Sequence, residues 1–151
     1  MLLRLVTGVL MSYGILGTSS YAAPTYVIAL VAGDGQRQVM KEGSAAFAPL
    51  VVRVSDVQKK PVAGLAVRFV CSAPHEGCYL GSVQGGPSAV VRTGRDGRAV
   101  LGSSGFGVYV YWTRQFYTRK NPSPVTVSAS LPDGTSAVKF QLAPINPYSL
   151  L

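Results

Sequence analysis

Cys71, His75 and Cys78 come nearest to a chemical constellation in this 151-residue chain. Two thiols and an imidazole within eight residues have the ligand types of a zinc site, and a Cys–His pair has the parts of a nucleophilic centre. Neither reading is well supplied. The zinc set lacks a fourth protein ligand. His75 is the only histidine, so any Ser–His–Asp or Cys–His arrangement must run through it. The two cysteines read instead as one disulfide of an exported chain, with free thiols as the remaining alternative. Closing that eight-residue loop stabilises by ~2.5 kcal/mol in the chain-entropy estimate.

The six acids are Asp34, Glu42, Asp56, Glu76, Asp96 and Asp133. Asp34, Asp96 and Asp133 each precede glycine, and Asp56 opens a polar segment. Turn chemistry accounts for these four without acid–base work. The carboxylates are too dispersed for a calcium-binding loop. The reading is therefore of a non-enzyme, with no catalytic residue, no metal and no cofactor.

Short strands must position whatever this chain presents. Leu50, Val52 and Val54 alternate with Val51, Arg53 and Ser55, and Leu65, Val67 and Phe69 with Ala66, Arg68 and Val70. Val125, Val127, Ala129 and Leu131 alternate with Thr126, Ser128 and Ser130. Further β-prone runs are Tyr26–Val31, Ala89–Thr93, Arg98–Leu101, Val108–Tyr117 and Val138–Leu142. Turn signals at Gly33-Asp34-Gly35, Lys59-Lys60-Pro61, Gly94-Arg95-Asp96-Gly97 and Pro132-Asp133-Gly134 separate them. No apolar 3.6-residue period is long enough for a substantial helix. The pattern predicts an all-β fold, an antiparallel β-sandwich of about seven to nine strands.

Composition narrows the class. Gly 17 and Pro 10 are an excess that suits turns, and only 13% of residues are charged against 48% apolar, unlike a disordered chain. Lys and Arg number 14 against 6 acids, a net charge of +8. Arg4 precedes a 12-residue apolar run, Leu5 to Leu16, too short to span a bilayer. Ser20 and Ala22 then stand at the −3 and −1 positions of a cleavage after Ala22, the pattern of a secretory signal peptide over residues 1–22. The remaining 129 residues, 23–151, would carry +7 as one domain, exported and without a membrane span.

Gly33-Asp34-Gly35-Gln36, Phe47 to Asp56 and Pro61 to Phe69 resemble the group 1 bacterial immunoglobulin-like domain, the repeat of invasin and intimin. So do Thr93 to Ala99, Val125 to Ser130 and Val138 to Leu142, and the resemblance covers about residues 26–142. It implies an immunoglobulin-like sandwich and work in adhesion at the cell envelope. The chain departs from the family in having one copy, with no barrel and no tip. Lys59-Lys60 replace the usual Asn-Gly after Asp56, and the segment of about Val108–Pro124 is longer.

Two sets of residues could meet a partner. Arg53, Arg68, Arg92 and Lys139 alternate with apolar neighbours and so point away from the core. They are read as a basic face for an anionic polysaccharide or lipopolysaccharide. A plainer account is solvated surface and protection of sheet edges. Nucleic acid would suit the charge, but export argues against it. The second set lies in Tyr109 to Lys120, which holds five of the fourteen aromatics. Tyr109, Tyr111, Trp112, Arg114, Tyr117, Arg119 and Lys120 are the candidates, by residue types that recur at interface hot spots. A strand packing on its own domain is the plainer account here too. The expected partner is a cell-envelope or surface protein, or an anionic polysaccharide. A soluble periplasmic or secreted binding module, or a protein inhibitor, is the alternative.

Overall fold

The computed structural model describes residues 25–72, 77–82, 84–112 and 120–151. The expected signal peptide, 1–22, lies outside the described residues, as do His75, Arg114, Tyr117 and Arg119. The described chain is an all-β sandwich.

The strands are β1 (Val27–Ala32), β2 (Arg37–Val39), β3 (Ser44–Phe47), β4 (Leu50–Ser55), β5 (Ala66–Ser72) and β6 (Gly77–Leu80). There follow β7 (Ser88–Arg92), β8 (Arg98–Leu101), β9 (Val108–Tyr111), β10 (Val125–Ser130) and β11 (Ala137–Ile145). They form a five-stranded sheet, β2-β11-β10-β5-β7, and two three-stranded sheets, β1-β4-β8 and β3-β9-β6. Eleven described strands exceed the expected seven to nine because β2, β3 and β6 are only three or four residues long. Runs so short carry little alternation to read.

Period-two alternation turns one face of every sheet into a common core. Leu50, Val52 and Val54 of β4 meet Val67 and Phe69 of β5, Val125 and Val127 of β10, and Phe140 and Leu142 of β11 in one buried cluster. Val108 and Val110 of β9 and Phe47 of β3 extend it under the third sheet. Fully burying such a side chain stabilises by about 1.5–3 kcal/mol.

The sheets are not wholly antiparallel. β1 pairs antiparallel with β4, but β2 runs parallel to β11. Between β1 and β2 the chain leaves one sheet and joins another, and Gly33-Asp34-Gly35-Gln36 clasps that crossing. Gly33 has φ +97°, and a Cβ there would stand 2.7 Å from the Pro49 carbonyl oxygen. Only glycine fits both conditions. Asp34 Oδ1 accepts from the Gln141 amide at 2.8 Å, and the Gly35 amide donates to the Gln141 carbonyl at 3.0 Å. The Gln36 side chain accepts from the Ala48 amide at 2.7 Å and donates to the Gly33 carbonyl at 2.8 Å.

The chain continues in regular structure beyond Leu142, where the family resemblance ends. β11 runs to Ile145, and Asn146, fully buried, caps a 3-10 helix at Pro147–Leu150. Its amide donates to Asn121 Oδ1 and its side-chain Nδ2 to the Lys120 carbonyl. Among the described residues no helix is long and apolar enough to cross a membrane.

Candidate functional site

The β3-β9-β6 sheet carries the aromatic candidates. β9 alternates strictly: Val108 and Val110 face the core, Tyr109 and Tyr111 face out. Tyr111 lies between Ser44 of β3 and Gly77 of β6, and Tyr109 between Ala46 and Tyr79. Small neighbours on the β3 side leave both rings standing above the sheet. Tyr111 is 41% exposed. Tyr109 is half-buried by tilted contacts, its ring centroid 6.3 Å from Tyr79 and 5.6 Å from Phe106. A depression of about 240 Å³ opens beside it, lined in part by Gln38, Lys41, Ser44 and Ala46. An aromatic flank with amide, ammonium and hydroxyl groups at its rim suits a polar or sugar-like surface.

The disulfide holds this sheet in place. Cys71 of β5 is bonded to Cys78 of β6, so the bridge joins the five-stranded sheet to the aromatic one. Cys78 lies opposite Val110, on the inner side of Tyr109 and Tyr111. Zinc ligation by these two sulfurs is thereby displaced.

One candidate is corrected. Trp112, expected among the binding residues, is 8% exposed and belongs to the core cluster. Alternation explains it: Trp112 follows Val108 and Val110 on the inward side, and its amide donates to the Gly43 carbonyl. Lys120 is exposed, but its carbonyl accepts from Asn146, so its backbone anchors the C-terminal segment. Tyr79 and Phe106 join the aromatic group without having been singled out in the sequence. The Gly77–Leu80 strand contains Cys78 itself, and its single tyrosine gives no periodic signal.

The basic residues all point outward, but they do not make one face. Arg53 is on β4, opposite Arg98 of β8 and Ala29 of β1. Arg68, Arg92 and Lys139 lie on the five-stranded sheet. There Arg68 pairs with Val90 and Ser130, and Lys139 with Ser128. The sequence shows that a strand residue points out; it does not show from which sheet. Arg92 is engaged, its guanidinium donating to the Gly64 carbonyl at 2.9 Å.

The carboxylates are held in turns. Asp56 Oδ1 accepts from the amides of Gln58 and Lys60, and Asp96 Oδ1 from that of Arg98. Asp133 Oδ1 accepts from the amide and hydroxyl of Thr135. Those two bonds, the backbone one foremost, hold the Asp133 carboxyl below its ordinary range. Among the described residues no group of three or more His, Cys, Asp or Glu is placed to hold a metal.

No family model matches the chain, and no curated protein does. Among solved structures it is similar to MtrC from Shewanella baltica OS185, at 14% identity and a TM-score of 0.28. The likeness covers 80% of this chain and 22% of that one, and a score so low does not define a shared fold.

Proposed function

We propose that the protein is an exported, non-enzymatic binding module of the immunoglobulin-like kind found in invasin and intimin. Its work is interaction or adhesion at the cell envelope or outside the cell. The observation that carries this reading is the pair Tyr109 and Tyr111, facing outward on a sheet stapled by Cys71–Cys78. A rigid aromatic platform loses little conformational entropy on binding, which favours recognition. The four turn aspartates support a non-catalytic role, since each has a carboxylate oxygen committed to backbone amides. The disulfide suits an oxidising compartment.

The test is capture from envelope extract by the full-length protein, purified after export, beside its Tyr109→Ser/Tyr111→Ser form. The substituted protein should lose the captured partner while keeping its β-sheet circular dichroism. Equal capture by both proteins would remove the tyrosines from the interface. A second reading, a soluble module for an acidic polysaccharide, is favoured by Lys41 at the rim of the Tyr109 depression. Fractionation separates the two: retention on the cell surface supports the first, free protein in periplasm or medium the second.

A further inference from the structure

The outer face of the β1-β4-β8 sheet combines cations with exposed aliphatic groups. Its depression of about 410 Å³ is lined by Val27, Ala29, Arg53, Val57 and Lys59, with Ser55 and Asp56. A second depression, of about 500 Å³, adjoins it through Arg53 and is completed by Pro61, Asp96 and Arg98. Val57 is 72% exposed at the turn after β4, beside Gln58, Lys59 and Lys60. Val27, on the edge strand β1, is 48% exposed.

Two features set this face apart from a merely solvated one. First, Arg53 and Arg98 lie directly opposite on neighbouring strands, where like charges repel. Asp96 stands 3.8 Å from the Arg98 guanidinium, an exposed ion pair of little weight. Asp56 keeps its charge, one carboxylate oxygen accepting from two backbone amides, so the two depressions together hold Arg53, Lys59 and Arg98 against Asp56 and Asp96. Second, Lys59 has φ +66°, a left-handed backbone that favours Gly or Asn. A lysine in that position keeps its side chain at the depression despite the strain. Strained conformations of this kind concentrate at functional sites.

We infer that this face docks on an anionic lipid surface, with Arg53, Lys59 and Arg98 meeting headgroup phosphates and Val57 entering the interface. Charge complementarity names the headgroup, since each juxtamembrane cation attracts an anionic surface. The aliphatic groups favour lipid over a sugar chain, which would find no aromatic ring in the lining of either depression. The inference takes its location from the envelope reading but does not use the tyrosine sheet, so either can fail alone.

The test is co-flotation of the exported full-length protein with phosphatidylcholine vesicles containing or lacking phosphatidylglycerol, at low salt. Binding should require phosphatidylglycerol. Arg53→Gln/Arg98→Gln should weaken partitioning about 25-fold, at about fivefold per cation. Val57→Asp should weaken it as well. Arg68→Gln/Arg92→Gln removes the same charge from the five-stranded sheet and should leave binding within about twofold of the parent. Lys59→Gly should bind about fivefold less while melting higher, because it relieves the left-handed strain. Equal losses from both arginine pairs would reduce the effect to net charge and overturn the inference. So would a parent protein that ignores both vesicles, or one retained by a sulfated polysaccharide resin alone.

Discussion

The two three-stranded sheets share one core and present opposite chemistries outward. β3-β9-β6 shows tyrosines between small residues, beside a depression with a single lysine at its rim. β1-β4-β8 shows arginine against arginine, flanked by valines and a strained lysine. They are joined at Ala48-Pro49, where β3 gives way to β4, so adjacent stretches of chain serve different surfaces. The contrast teaches that a bulk charge of +8 does not define a binding face. What surrounds each cation does. Arg68 stands between Val90 and Ser130 and Lys139 opposite Ser128, with no aromatic partner beside them in the register. Arg53 has an aliphatic floor.

The strongest way to break the contrast lies at the end of β9. Trp112→Ala should cost about 3–5 kcal/mol, the range for emptying a large aromatic from a core. Tyr111→Ala, one residue earlier, should stay within about 0.5 kcal/mol because its ring is exposed. Urea denaturation of both variants measures the difference. Similar losses from the two would mean that β9 does not divide into an inner and an outer side.

Removing the disulfide distinguishes the two sheets next. Cys71→Ser/Cys78→Ser should cost ~2.5 kcal/mol on the chain-entropy estimate. The bridge joins β5 to β6, neither of which belongs to β1-β4-β8. Well below the melting temperature, partner capture through Tyr109 and Tyr111 should weaken while vesicle binding is kept. Loss of vesicle binding to the same degree would show that the sheets do not respond separately.

Much of the fold was legible because its long strands alternate cleanly. Leu50–Ser55, Ala66–Val70 and Val125–Ser130 each turn one apolar face to the core, and Gly33-Asp34-Gly35 marks the sheet crossing by its turn residues. Three things were not legible, for physical reasons. β2 takes its place from the parallel register with β11, and all three of its residues are exposed, so no apolar pattern betrays it. Met40 is buried at a position flanked by Val39 and Lys41, where local pattern gives no hint of burial. The division of Arg53 from Arg68 depends on which strands pair, a long-range property that alternation within one strand does not encode. Of the candidate site, the outward positions of Tyr109 and Tyr111 could be read from their spacing, those of Tyr79 and Lys59 only from the assembled sheets.

The smallest effect concerns a turn that belongs to neither short sheet. Asp133 sits in the β10–β11 connection, where its carboxylate accepts from Thr135. Its folded pKa lies below the unfolded one. Its contribution is therefore present above the unfolded carboxylate range and is lost as pH falls through the folded value, below about pH 4. Asp133→Asn keeps an acceptor oxygen but cannot titrate. The parent should melt slightly above the variant near neutrality, and the gap should close in acid. Because the connection joins two strands of the five-stranded sheet, vesicle binding and partner capture should respond alike to Asp133→Asn. A gap in melting temperature that stays constant from neutral to acid pH would remove the Asp133–Thr135 bonds from the account. A change in one binding activity alone would tie this distant turn to one short sheet and undo their equivalence toward it.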